Sequence, residues 1–230
     1  MTDIGDVDAV LWDIGGVILD LDSVQRVQRE VVERLVTEYD SPYGVDEALA
    51  HWRETVGGYF AEREGTEFRP AREGYRRAVD QLLEPDPAAV PWQAVFHEAR
   101  DAGLEPNPDA VAAIERLADS PVHQGIVSDI DHAEGRRILE GFDLRRWLDT
   151  YTSSEAVGRT KPDTAMFETA LDRAGVSPEG AVMVGDRYEH DMAGAKRVGL
   201  YTVAYGAENG PAVDLRLSDL RRLPTLLQVE

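Results

Sequence analysis

Residues 7–17 read VDAVLWDIGGV. The run Val7–Trp12 is short and mostly apolar, it ends on Asp13, and Gly15-Gly16 break it at once. An apolar run with little polar alternation is what a strand buried on both faces of a parallel sheet requires. Val122–Val127 has the same form and ends at Ser128-Asp129. Ala181–Val184 leads into Gly185-Asp186, Leu200–Ala204 is a fourth run, and Asp149–Thr152 a weaker one. Helical patterns lie between them. Val111, Ile114, Leu117 and Ala118 share one face behind the start signal Asn107-Pro108, and Met166, Ala170 and Leu171 do so between Pro162 and Gly175. Alternation of strand and helix over residues 105–225 predicts an α/β fold, an open parallel sheet with helices on both faces.

The first strand is far in sequence from the second. Between them the periodicity is helical and no convincing strand occurs. Asp22 with Gln25 has the form of a capping box, followed by Val24, Val27, Val31 and Leu35 on one face. Further helices are expected near Asp46–Thr55, Arg72–Leu83 and Pro91–Arg100, with breaks at Gly57-Gly58 and Pro85-Asp86-Pro87. The expected organisation is a core of residues 1–20 plus 105–230, with an all-helical subdomain, 21–104, inserted after the first strand.

Composition narrows the partners. The 44 acidic residues outnumber the 24 basic ones and leave a net charge of −20, a poor match for nucleic acid or an anionic membrane. Only two of the basic residues are lysines, Lys161 and Lys196. Scattered carboxylates with so little lysine suit a very salty cytoplasm, where a Debye length of roughly 3 Å mutes their repulsion. A docking surface for a basic partner is the alternative. Cysteine is absent, which removes disulfides and thiolate metal sites. No apolar run is long enough to span a membrane and no secretory leader is visible, so cytoplasm is the expected compartment.

In an open parallel sheet, functional groups gather at the carboxyl ends of the strands. Asp13, Ser128-Asp129, Lys161 and Asp186 are therefore expected on one edge. Asp13 has the chemistry of a nucleophile toward phosphorus and of a hard ligand for Mg²⁺, although an Asp also simply ends a strand in a turn. The glycines beside it permit close backbone approach to an anion. Ser128 offers a hydroxyl to a phosphate oxygen, or caps a helix, as Asp131 equally does. Lys161 supplies a compact cation where arginine has replaced almost every other lysine; otherwise it is a solvated side chain. Asp186 and Asp191 face a common cation, or Asp191 caps the helix that opens at Met192.

Order and spacing together go further than any one residue. The sequence resembles the haloacid dehalogenase superfamily of hydrolases over nearly its whole length. Asp13 with Gly16-Val17 is similar to that family's first motif, Ser128 to its second, Lys161-Pro162 to its third, and Gly185-Asp186 with Asp191 to its fourth. Residues 193–199, AGAKRVG, resemble the usual continuation, and the helical insert sits where members carry a C1-type cap. The resemblance implies a Rossmann-like core and a magnesium-dependent phosphatase. Asp13 is then the nucleophile, with Lys161 beside it. Ser128, Asp129, Lys161 and Gly16 bind the phosphoryl group, and Asp13, the carbonyl of Gly15, Asp186 and Asp191 hold the metal. The implied substrate is a small phosphorylated metabolite, and the implied state a monomer or homodimer.

One position departs from the pattern. Most family phosphatases carry a second Asp two residues after the nucleophile, which protonates the leaving group and activates water. Here that position is Gly15. The loss of such a group typically costs roughly 10²–10⁴ in rate. Asp131 and His132 are candidate replacements by sequence position. A 2-haloacid dehalogenase, which also lacks the second Asp, and a catalytically impaired binding protein are the alternatives; Gly185-Asp186 speaks against the former. In the insert, Arg53, Tyr59, Arg63 and Arg69 are candidates for ligand contact, and each also reads as a solvated or packing residue.

Overall fold

The protein is described by a computed structural model, for residues 7–84 and 90–228. Six strands form one sheet: β1 (Ala9–Trp12), β2 (His123–Ser128), β3 (Thr150–Ser153), β4 (Ala181–Gly185), β5 (Tyr201–Tyr205) and β6 (Leu215–Leu217). Their order is β3-β2-β1-β4-β5-β6, and every neighbouring pair is parallel. This is the open, Rossmann-like α/β arrangement. β1 is wholly buried because strands flank it and helices cover its faces, which is why its sequence lacks alternation.

The chain divides into two compact units, Met1–Asp20 with Pro106–Glu230, and Leu21–Glu105. In the first, five helices that follow the four of the second unit in chain order connect the strands: α5 (Pro108–Leu117), α6 (His132–Gly141), α7 (Ser154–Val157), α8 (Thr164–Ala174) and α9 (Ala193–Val198). Asn107 caps α5 by accepting from Asp109 N, with Pro108 at the first helical position. On one face of the sheet Met166, Phe167, Ala170 and Leu171 of α8 pack with Met192 and Ala195 against Ala9, Leu11, Val127, Ala181 and Met183. On the other face Gln124 reaches α5, its amide donating to the carbonyl of Ile114.

The second unit is helical: α1 (Leu21–Glu38), α2 (Val45–Ala61), α3 (Ala71–Leu82) and α4 (Trp92–Gly103). Its core joins Val27, Val31 and Leu35 to Leu49, Trp52, Val79, Leu82 and Val95. No helix among the described residues is long and apolar enough to cross a membrane.

The structure corrects several local expectations. Gly57-Gly58 does not break α2, which runs on to Ala61. Each interior glycine costs a helix about 1 kcal/mol relative to alanine. Burial of Tyr59 in the next turn, beneath the guanidinium of Arg69, rewards continuing. Asp22 is no N-cap, since α1 begins at Leu21 and Asp22 falls in its first turn. Asp131, not Ser128, precedes α6, and its side chain makes no cap bond. The expected break at Pro85-Asp86-Pro87 lies outside the described residues. β6 was not anticipated; it is a three-residue edge strand with Arg216 exposed at its centre.

Candidate active site

The strand order reverses direction at β1: the chain proceeds outward through β2 and β3, then returns to build β4 on the other side. A crevice opens at the carboxyl end of such a switch point. Asp13 follows the last residue of β1 and its backbone N–H donates to the carbonyl of Val184 on β4 (3.0 Å). Trp12 pairs with Ile126 on one side and Val184 on the other, so Ser128 and Asp186 each lie two residues beyond Trp12's partners. Register alone thus gathers three of the expected residues.

Lys161 is the hub. Its side chain is 0% exposed, and Nζ lies 2.9 Å from Asp13 Oδ1 and 2.5 Å from Asp191 Oδ1. It also donates to the carbonyl of Val127 (3.1 Å). The bland alternative, a solvated lysine, is excluded. Burial pushes the ammonium down, but Asp13, Asp191 and Asp129 outweigh it, so its pKa rises and the charge is kept. Asp13 is buried too. Burial raises its pKa, Lys161 opposes that, and nearby Asp191 adds to the rise; the hydroxyl of Ser128 donates to it as well. The Ser128 hydroxyl therefore faces the nucleophile candidate rather than a helix end.

Asp191 is not an exposed helix cap. It lies in a π-type turn, Tyr188–Met192, ahead of α9, and is fully buried. Its Oδ2 accepts from Arg187 N (2.9 Å) while Oδ1 faces Lys161. Asp186 differs from its neighbours. No ion pair or hydrogen bond reaches its side chain among the described residues. Burial, then the like charges of Asp13 and Asp191, push its pKa up to about 6.

Two glycines make this crowding possible. A Cβ on Gly16 would lie 2.1 Å from Asp186 Oδ2, and its φ of +71° is itself unfavourable for other residues. A Cβ on Gly185 would lie 2.3 Å from the Cβ of Asp191. Gly16, expected to admit a phosphate, is here pressed against a carboxylate of the protein itself. Gly15 has a different character: a Cβ there meets only Asp13 Oδ2, at 4.0 Å.

One oxygen from each of Asp13, Asp186 and Asp191 can be chosen so that all lie within 4.8 Å of one another. Two of the three carboxylates share one buried ammonium, and the third, Asp186, has no ion pair or hydrogen bond among the described residues. That hard-oxygen set with an electrostatic deficit fits a divalent cation such as Mg²⁺.

Other expectations are redistributed. The Asp129 side chain does not present itself to a phosphate. Its Oδ1 accepts from Lys161 N (2.8 Å), and its Oδ2 from Arg187 Nη2 (2.9 Å), with His190 Nδ1 at 3.3 Å. A carboxylate so placed positions donors and does not bind an anion. His132 is occupied on β3: Nδ1 lies 2.9 Å from Ser153 Oγ and the ring stacks on Tyr151 at 4.8 Å. Asp131 is buried at the entry to α6. In the helical unit Tyr59 is buried and Arg69 lies over its ring (3.9 Å), so both are packing residues; Arg63 lies over Phe60. The ion pair of Arg187 with Asp129 was not anticipated from the sequence, although Arg187 directly follows Asp186.

Comparison with known proteins places this geometry. Residues 7–199 match the haloacid dehalogenase-like hydrolase family. A glyceraldehyde 3-phosphate phosphatase of Pyrococcus furiosus is 25% identical over 229 residues, covering 97% of this chain and 92% of the relative. A phosphoserine phosphatase of Thermus thermophilus is 33% identical over 207 residues, 86% of this chain and 75% of the relative. The crystal structure of a HAD phosphatase from Thermococcus onnurineus superposes with a TM-score of 0.77 at 25% identity, over 97% of this chain and 99% of that one. The L-2-haloacid dehalogenase of Xanthobacter autotrophicus shares the fold (TM-score 0.71, 21% identity, 96% and 98% coverage), a likeness that speaks to the fold alone. With the match extending over four of the six strands, the insert and all four strand-end motifs, the chain belongs to the haloacid dehalogenase-like hydrolases.

Proposed function

We propose that the protein hydrolyses phosphate monoesters of small metabolites, using Asp13 as nucleophile and Mg²⁺ as cofactor. The observation that carries this reading is the pairing of a buried, Lys161-bound Asp13 with an unpartnered Asp186. The first suits covalent attack, and the second needs a cation. Asp13, Asp186 and the carbonyl of Gly15 are the proposed metal ligands. Asp191 joins them through one oxygen or serves by fixing Lys161 and the Arg187 backbone. Bound Mg²⁺ supplies Lewis-acid stabilisation of charge on the phosphoryl oxygens.

The chain's own groups account for the rest. Asp13 attacks phosphorus, the P–O bond to the alcohol breaks, and an aspartyl-phosphate forms. Water then cleaves the acyl phosphate and restores the carboxylate. Lys161 opposes the upward push of burial on the Asp13 pKa and holds the carboxylate in place. The Ser128 hydroxyl orients the same carboxylate, and its one hydrogen can turn to a phosphoryl oxygen once substrate enters. With Gly15 in place of an acid, a substrate whose leaving group departs without protonation is favoured. The helical unit, 21–105, is the proposed C1-type cap that selects the substrate. Relatives named as phosphatases support phosphate esters as the substrate class.

The test is hydrolysis of an aryl phosphate in molar KCl, with Mg²⁺ and then with EDTA, for the wild type and Asp13→Asn. Activity that needs both metal and Asp13 is expected. Activity that survives Asp13→Asn overturns the nucleophile, and metal-free turnover of a 2-haloacid replaces the phosphatase with a dehalogenase.

A further inference from the structure

The helical unit carries a cavity of its own. It has a volume of about 190 Å³, opens to solvent on one side and lies among α1, α2, α3 and α4. One wall is aromatic. Trp52 of α2 stacks on Tyr75 of α3, with ring centroids 5.6 Å apart and planes at 18°. Tyr75 in turn meets Phe96 of α4 at 4.7 Å and 40°. Val27 and Val31 of α1 and Val56 of α2 add aliphatic surface. Packed helices leave few voids larger than a water molecule, so a recess of this size among four of them calls for an occupant.

The polar groups of the lining call for an acceptor. Trp52 is 2% exposed, and its indole Nε1 has no acceptor among the described residues. An indole N–H can only donate, and when buried it ordinarily finds a partner. Gln28 of α1 is half-buried, and its amide has no hydrogen-bond partner among the described residues. Arg100 of α4 places its guanidinium over the Phe96 ring, 4.9 Å from the centroid. In a chain with a net charge of −20, this cavity is lined by a cation and by no carboxylate. A small anion is the complement of that charge.

Size sets the rest of the ligand. A dry apolar cavity of about 150 Å³ holds benzene. A volume of about 190 Å³ therefore accommodates one six-membered ring with a short side arm.

We infer that the helical unit binds a small aromatic carboxylate. Its ring lies against the wall of Trp52, Tyr75 and Phe96, where aromatic contact adds directional attraction to the burial of apolar area. Its carboxylate pairs with Arg100, whose planar fork matches both oxygens. The Gln28 amide and the Trp52 N–H are the other donors available to it. An uncharged apolar occupant would leave these donors without an acceptor. The inference uses no residue of the strand-end site and so stands apart from the phosphatase reading.

The experiment uses the full chain in molar KCl with phenylacetate as probe, read by calorimetry and by quenching of tryptophan fluorescence. Phenylacetamide is the uncharged control and acetate the ringless one. Saturable binding of phenylacetate is expected, with a Kd of about 1 mM or tighter and at least tenfold tighter than either control. Arg100→Gln is expected to weaken phenylacetate at least tenfold while leaving phenylacetamide within twofold. Val56→Phe, which fills the cavity, is expected to abolish phenylacetate binding. Melting curves verify that each variant folds, and Val56→Phe carries the test alone should Arg100→Gln not fold. A wild type without saturable phenylacetate binding overturns the inference. So do acetate binding as tight as phenylacetate, wild-type affinity in a folded Val56→Phe protein, and displacement of the probe by inorganic phosphate with Mg²⁺, which would put it at the strand-end site. Phenylacetate binding by a wild type that turns over no aryl phosphate overturns the phosphatase reading alone.

Discussion

Gly15→Asp should convert a selective phosphatase into a general one. The structure says why position 15 accepts the change when position 16 does not. A Cβ on Gly15 meets only Asp13 Oδ2, at an ordinary 4.0 Å, and Gly15 is absent from the positive-φ glycines. On Gly16 the same atom would lie 2.1 Å from Asp186 Oδ2. A carboxyl group at position 15 stands beside Asp13, whose like charge favours its protonated form. That is the form that donates to a leaving alkoxide. General acid–base catalysis is worth about 10²–10⁴ in rate, or about 2.7–5.4 kcal/mol of barrier. The gain should depend on the leaving group. We expect at least a hundredfold rise in kcat/KM on an alkyl phosphate and less than tenfold on an aryl phosphate with a good leaving group. Both substrates are assayed for wild type, Gly15→Asp and Gly15→Asn, with melting curves to verify folding. Equal gains on both substrates, or a gain that Gly15→Asn reproduces, would refute the acid–base reasoning. So would a folded Gly15→Asp protein that gains nothing on the alkyl ester.

Three further outcomes follow from the same contacts. Gly185→Ala places a methyl 2.3 Å from the Cβ of Asp191; overpacking of this kind costs about 1–3 kcal/mol, so the melting temperature should fall by roughly 2–12 °C for a chain of this size, with activity lost as Asp191 and Lys161 part. Asp214 accepts from Thr202 N (2.9 Å), Thr202 Oγ1 (3.0 Å) and Lys196 Nζ (2.6 Å). Burial raises its pKa, but these donors lower it overall. A depressed carboxylate stabilises above its unfolded pKa, so the contribution persists at neutral pH and is lost as pH falls below the ordinary value of 3.8 through the folded one. Lys196 is 41% exposed, so its share is screened. Asp214→Asn should cost about 1 kcal/mol at pH 7, and the gap from wild type in urea titrations should close in acid; a gap independent of pH would count against the assignment. A net charge of −20 predicts that melting temperature rises steeply with KCl, as the Debye length shrinks from about 10 Å at 0.1 M to about 3 Å at 1 M. Equal stability in dilute buffer would reject salt adaptation.

Much of the sheet was legible in the sequence because burial on two faces leaves a compositional trace. β1 and β4 are unbroken apolar runs, β2 and β5 are mostly buried with one or two polar residues, and each ends within a residue or two of where its run stops. β6 left no such trace, since an edge strand of three residues with an exposed arginine looks like a loop. Gly57-Gly58 misled for the opposite reason. Local propensity marks a break there, while the burial of Tyr59 that keeps α2 intact is a tertiary fact.

The candidate site divides along the same line. A motif names the residue types at strand ends, and parallel register brings those ends together, so Asp13, Ser128 and Asp186 could be placed on one edge before any coordinates. A motif does not say how many hydrogen bonds each group has left. Lys161 reads as a phosphate-binding cation, and its Nζ also lies 2.9 Å from Asp13 Oδ1 and 2.5 Å from Asp191 Oδ1. Asp129 reads as part of a phosphate loop, and its side-chain oxygens hold Lys161 N and Arg187. Gly16 reads as a place for close backbone approach, and its missing side chain also leaves room for Asp186. In each case the residue type was legible and the protein partner was not, because partners are fixed by tertiary packing rather than by local sequence.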